Sequence, residues 1–464
     1  MARRTVPQSP MARGQLMLGW QPAADRPTGL KSEADGERLE PIWHSGEGHL
    51  VTIAPTGAGK GVSCIIPALL TWDGPAIVVD PKGENFAVTA ERRRQLGQKV
   101  AVLDPFNVTE TEQWDALNPL DLVAADSPSA PDDAAVIAKL LIQGRVSVRD
   151  PFWDERAESL IAGLVLYVAM TTRAPLRSLA EVRFLIEQNE AGLDATAKDM
   201  HRTGNTDVAA AANILQTRAS NTRSGIMSST SSHLSFLRAG PVQSSLAEST
   251  ISLEDVQRGL PMTIYLVVPP DKLISHGKLL RLWLGVLMTT LARRRRQPLK
   301  PTLLILDEAA QLGPLDELRA AVTLMRGYGV KVWSFWQDLS QLMHTYPLDW
   351  RSIMNNCSVQ QMFGAATPQA SAEVETYLGG RLPRLAGLGQ SEALLIERGE
   401  TPRTVTRPNY LTDRMFRGLA RSNPFYRGRP GAERGAVPGN TERSGTEDGE
   451  GGDNVIEFPR DRIR

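Results

Sequence analysis

The stretch "IAPTGAGKGVS", Ile53–Ser63, follows the apolar run His49–Ile53 and decides how the rest of the chain is read. A phosphate-binding loop has the form G-x-x-x-x-G-K-[ST], in which the last hydroxyl holds a magnesium ion. Here Ala54 stands at the first glycine, and Gly61 follows Lys60 where the hydroxyl is expected. A glycine-rich turn between a strand and a helix N-terminus still aims backbone N–H groups at an anion, and the helix dipole adds to them. Thr56, Gly57, Ala58, Gly59, Lys60 and Gly61 are therefore the candidate phosphate cradle, with Lys60 reaching the terminal phosphates. The same string also reads as a plain turn. Its place after a strand and before an apolar helix (60–71) favours the cradle.

Outward from this loop the pattern is α/β. "AIVVD" (76–80) and "KVAVLD" (99–104) are short apolar strands separated by a charged helix around 84–96. After a long interruption, alternation resumes with "PMTIYLVV" (261–268), a helix over about 274–296, "PTLLILDEA" (301–309), a helix from about Leu315, "VKVWSFW" (330–336) and "CSVQQMFGA" (357–365). Continuous apolar strands alternating with helices predict a parallel sheet. The interruption, 125–255, has almost no strand signal and carries helical stretches at Ala134–Ile142, Phe152–Met170 and Ser178–Glu187. It predicts an inserted all-α domain. The expected organisation is a polar N-terminal arm (1–45), a nucleotide-binding domain in two parts (46–124 and 256–424), the insert, and a disordered Gly/Arg/Glu/Pro-rich tail (425–464).

Composition sets limits. Lys plus Arg (52) equals Asp plus Glu (52), so no strongly basic nucleic-acid binder is indicated, although local basic surfaces stay open. The two cysteines, Cys64 and Cys357, build neither a disulfide framework nor a zinc site and fit a reducing, cytoplasmic compartment. The apolar runs 160–170 and 278–292 fall short of the ~20 residues of a spanning helix, the second being interrupted by Arg281. No transmembrane segment is expected. Arg92–Arg94 and Arg293–Arg296 read as solvated helix ends or, alternatively, as phosphate-tracking channel residues. Trp333 and Trp336 read as core.

Two further stretches carry chemistry. "LLILDEAAQLG" (303–313) ends an apolar strand in adjacent carboxylates: Asp307 is placed to hold magnesium through water, and Glu308 to activate an attacking water. Alternatively the pair caps the next helix. In "MRGYGVKVWSFWQDLSQL" (325–342), Gln337 follows a strand expected beside that of Asp307, where its amide senses a terminal phosphate or orients water. Arg326 is either a solvated helix-end arginine or an arginine acting in trans across a subunit interface.

In order and spacing, the stretches "APTGAGKGVSCIIPALL" (54–70), "IVVDPKGENF" (77–86), "DPFWDERAESLIAGL" (150–164), "PMTIYLVVPPDKL" (261–273), "LLILDEAAQLG", "QDLSQLMHTYP" (337–347) and "NCSVQQMFGA" (356–365) resemble the TraG-like branch of the type IV secretion coupling proteins of bacterial conjugation. The resemblance runs from about His49 to about Tyr410. It implies a RecA-like P-loop ATPase, hexameric, using ATP and Mg2+ to pass a relaxase-bound single DNA strand, or protein effectors, to a secretion channel. It also implies docking at the cytoplasmic face of the inner membrane. That branch often carries glycine after the lysine, so Gly61 is expected there. Ser63 lies too far along the helix to be assumed as a substitute hydroxyl. By matched position Lys60, Asp307 and Glu308 carry the ATPase chemistry, Gln337 is the sensor glutamine and Arg326 the trans arginine. The segment 80–84 belongs to the pattern with a less defined role. Two alternatives remain at this stage: a nucleotide-binding substrate receptor with little hydrolysis, and a related hexameric DNA-pumping ATPase.

Overall fold

A computed structural model describes residues 14–23, 39–142, 151–364, 367–379 and 385–426. Its frame is one eleven-stranded mixed sheet. The strands are β1 (Leu16–Pro22), β2 (Leu39–His44), β3 (His49–Ile53), β4 (Ala76–Val79), β5 (Lys99–Leu103), β6 (Met262–Leu266), β7 (Thr302–Leu306), β8 (Val330–Trp336), β9 (Cys357–Met362), β10 (Glu392–Glu397) and β11 (Arg403–Thr406). Their spatial order is β2-β1-β11-β10-β9-β3-β8-β7-β4-β6-β5.

From β9 to β5 every pairing is parallel. All residues of β3, β7 and β8 are buried, because helices cover both faces of this part of the sheet. That is why these strands read as continuous apolar runs. Trp333 and Trp336, three residues apart on β8, point to opposite faces and enter the two different cores, as the core reading expected.

The antiparallel flank is a correction. Residues 1–45 were expected as an irregular arm, yet β1 and β2 pair with each other and β1 joins β11. Leu16, Met17 and Leu18 are buried at the sheet. β10 and β11 likewise carry no periodic signal strong enough to be read alone. Short strands of this kind are stabilised by their pairing partners, which sequence pattern does not reveal. The expected disordered tail lies, from residue 427 onward, outside the described residues.

Between β5 and β6 the chain is helical, from Ala130–Ile142 through Pro151–Thr171 to Leu253–Arg258. These helices share one continuous apolar core with the sheet: Leu164 and Val208 belong to the same cluster as Ile53 and Leu304. The helix Pro270–Ala292 joins the two parts. Its Gly285 faces Leu140 so closely that a Cβ there would sit 2.2 Å from Leu140 Cδ2.

Each basic cluster keeps exposed arginines, Arg94 in one and Arg295 and Arg296 in the other, as the solvated-end reading expected, but turns one arginine inward as a buried staple. Arg93 is fully buried; it donates to the carbonyls of Trp72 and Gly74 and, at 2.9 Å, to Thr263 Oγ1. Arg294 donates to the carbonyls of Val256 and Gln257 and to Thr302 Oγ1. Each guanidinium satisfies several carbonyls at once, which is how a buried cation is tolerated. Among the described residues no helix is long and apolar enough to cross a membrane.

Candidate nucleotide site

The parallel strands β3, β7 and β8 end side by side, in the register Ile53 opposite Trp336 and Leu306 opposite Ser334. In an open α/β sheet, ligands bind beyond these carboxyl ends. The loop after β3 starts with Ala54, whose N–H donates to Trp336 O at 2.9 Å. Gly57 and Gly59 have φ of 81° and 93°, values that side chains rarely adopt, so the crown of the loop depends on them. Lys60 caps the helix that follows. The first turn of that helix is wide, Gly61–Ile65, with Ile66 N–H donating to Gly61 O, before regular α-helix over Ile66–Thr71.

Lys60, Glu308 and Gln337 meet in one connected group. Lys60 Nζ donates to Ala54 O at 2.9 Å and lies 3.5 Å from Glu308 Oε1. Gln337 Nε2 donates to Glu308 Oε2 at 2.8 Å. Glu308 holds a left-handed conformation (φ 56°, ψ 51°), a costly backbone state for a non-glycine residue that is typical of functional sites. It does not act as a side-chain cap, so the capping reading of the carboxylate pair is not what the geometry shows.

Asp307 ends β7 beside Glu308. Burial, then the Glu308 carboxylate, raises it to about 7, while Lys60 and Lys82 pull the other way. Asp80 follows β4, the neighbour of β7, so Asp80 and Asp307 stand on adjacent strand ends. Burial also raises Asp80 to about 7, opposed by hydrogen bonds from Phe86 and Asn85. Its Oδ2 accepts from Phe86 N at 2.8 Å and its Oδ1 from Asn85 Nδ2 at 3.2 Å. The 80–84 segment is therefore a carboxylate-closed turn, buried except at Lys82 and Glu84, that starts the helix Glu84–Gln95, with Gly83 in the left-handed region.

Arg326 is not part of this group. It precedes β8, whose seven residues separate it from Gln337 by roughly 20 Å at ~3.3 Å per residue. Its side chain is 57% exposed and its ion pair with Glu47 is stretched to 4.0 Å.

One residue that sequence reasoning passed over stands at the loop. Arg407, just after β11, donates through Nη1 to Ala58 O at 2.6 Å and through Nη2 to Gln390 O, with its guanidinium 4.3 Å from the Phe363 ring centre. No local signal marks it, since 349 positions separate it from Ala58 and only the antiparallel flank brings it there.

A family model described as type IV secretory system conjugative DNA transfer matches residues 25–379. The chain belongs to that family. It is 25% identical to a conjugal transfer protein TraG of Escherichia coli, over 76% of this chain and 56% of that protein. It is also 25% identical to protein VirD4 of Rhizobium radiobacter, over 79% of this chain and 54% of that one. The chain thus spans about half the length of the curated relatives it matches. Among solved structures it resembles the plasmid coupling protein TrwB in complex with ADP and Mg2+, with a TM-score of 0.59 and 15% identity over 77% of this chain and 84% of that one. A second TrwB structure, without its first 70 residues and unbound, also scores 0.59. These likenesses show that the conjugative DNA transfer member described here has the fold of a P-loop coupling protein, with helices set into a mixed sheet.

Proposed function

We propose that this chain is an ATP-dependent coupling protein, which recruits relaxase-bound single-stranded DNA or protein effectors and passes them to a type IV secretion channel. The observation that carries the reading is the convergence of Lys60, Glu308 and Gln337 at the carboxyl ends of three adjacent parallel strands. Family membership supplies the setting.

The roles follow from the geometry. The backbone of Thr56–Gly61 would receive the phosphates, with Lys60 exchanging Glu308 for a phosphate oxygen. Gln337 orients the Glu308 carboxylate, which takes a proton from the attacking water. Asp307 would hold Mg2+. Among the described residues no three His, Cys, Asp or Glu side chains gather into a metal cage. Gly61 adds no hydroxyl, so the donor set suits a cation that keeps water and phosphate oxygens in its shell, which is the habit of magnesium. The ion, when bound, would neutralise charge on the phosphates. Arg326 faces away from its own site and is exposed, which supports a role on a neighbouring subunit's nucleotide in a hexamer. The helices over 125–255, set between the halves 46–124 and 256–424, are the proposed substrate-recognising part. Docking at the cytoplasmic face of the inner membrane belongs to the same proposal.

Steady-state ATP hydrolysis with and without single-stranded DNA, alongside Lys60→Ala, tests this reading. DNA-stimulated turnover that disappears in the variant is the expected result. Nucleotide binding without turnover would favour the substrate-receptor alternative, and absence of nucleotide binding would refute the reading.

A further inference from the structure

Two groups outside the expected loop–carboxylate set converge on the phosphate cradle. Apart from its chain neighbours, a Cβ built at Gly59 would meet two atoms within 4 Å: Arg407 Nη1 at 3.6 Å and Ser63 Oγ at 3.7 Å. Gly59 is the crown residue whose left-handed backbone turns the loop toward Lys60, so both atoms lie against the cradle. Ser63 is 5% exposed, and among the described residues its hydroxyl makes no protein hydrogen bond while the oxygen itself stays accessible to solvent. Its side chain stays near the loop because Ser63 N–H donates to Gly59 O at 2.9 Å, the i to i−4 bond of an ordinary helical turn.

Arg407 is also underused. Its Nε is buried without a partner, and among the described residues it forms no ion pair with a carboxylate. Burial pushes the neighbouring Cys64 thiol up to about 12, so it stays neutral and does not offset the guanidinium charge. The guanidinium is fixed between Phe363 and the carbonyls of Ala58 and Gln390. A half-buried cation with a buried, unpaired Nε and no counter-charge, and a hydroxyl with no protein partner, both within 4 Å of the Gly59 Cβ position, together favour an anionic oxygen ligand.

We infer that Ser63 and Arg407 contact the phosphate chain of the bound nucleotide, Ser63 supplying the hydroxyl that Gly61 lacks and Arg407 a second cation opposite Lys60. The inference rests on the nucleotide-site reading above and extends it to two residues on elements far apart in sequence. Both are binding and positioning groups. Neither reaches the attacking water, which belongs to Glu308 and Gln337.

The test is equilibrium titration of the full chain with a fluorescent ATP analogue in magnesium buffer, at low and high salt, for the wild type, Lys60→Ala, Ser63→Ala and Arg407→Gln. The Tm of each unliganded protein is recorded alongside. Ser63→Ala is expected to leave the unliganded Tm unchanged, because the hydroxyl bonds nothing, and to weaken binding roughly tenfold. Arg407→Gln is expected to weaken it roughly tenfold or more, with a smaller loss at high salt where the charge is screened. If both variants bind within about twofold of the wild type while Lys60→Ala does not bind, the inference is overturned and the nucleotide site stands. If Arg407 merely braces Ala58, Arg407→Gln will lose Tm and affinity without salt dependence and Ser63→Ala will be silent, which also overturns it. A wild-type protein that binds no nucleotide overturns the underlying reading as well.

Discussion

Replacing Glu308 by Gln isolates the geometry that carries the functional reading. Lys60 Nζ lies 3.5 Å from Glu308 Oε1, and both side chains are mostly buried. At an effective dielectric near 20 the Coulomb energy of such a pair is about 5 kcal/mol. Most of that is offset by the desolvation of both ions, leaving a net of about 1.5 kcal/mol. An incoming phosphate must draw Lys60 from this partner, so removing the charge should tighten ATP binding about tenfold. The lysine keeps its bond to Ala54 O, so the variant should fold normally. The same change removes the proton acceptor and should slow hydrolysis about 10²–10⁴-fold. It also removes the second cause of the raised Asp307 carboxyl, which should then ionise at lower pH. The assay pairs a binding titration with single-turnover hydrolysis. Tighter binding with lost turnover is the expected signature. Turnover retained within about threefold, or ATP bound no tighter than by the wild type, would refute the assignment of Glu308 as both lysine partner and base.

Two further outcomes test the fold around the site. Asp80 has an ordinary value of 3.8 and stands near 7 in the folded protein, so folding disfavours its ionised form. That cost is absent below about pH 4, grows between about 4 and 7, and is constant above. Asp80→Asn, which does not ionise, should therefore raise Tm relative to wild type at about pH 8, with the gain gone near pH 4; thermal melts across this range decide it. Gly285→Val would drive a side chain into Leu140, and overpacking of this kind should cost about 1–3 kcal/mol, seen as a lower Tm in calorimetry.

Much of the site was legible because it sits on strands buried on both faces. The glycine loop after His49–Ile53 and the carboxylates after "LLIL" each mark a strand end, and parallel pairing puts such ends together. Gln337 could be placed for the same reason. Where the sequence misled, side-chain burial was responsible. Of three arginines read as a solvated helix end, Arg94 is exposed, but the helix turns Arg93 inward to hold the carbonyls of Trp72 and Gly74.

From sequence alone came the α/β alternation, the phosphate loop, the acidic strand end and the helical interruption, because period and turn chemistry are local properties. Tertiary structure alone decided what arrives at the loop from elsewhere. β11 has four residues and no amphipathic signature, but its antiparallel place between β10 and β1 carries Arg407 across the sheet to Ala58. Ser63 lies over Gly59 through an ordinary i to i−4 helix bond, but only the fold brings Arg407 to the same place. Strand-pairing partners depend on contacts made over hundreds of residues, and those contacts exist only once the chain has folded.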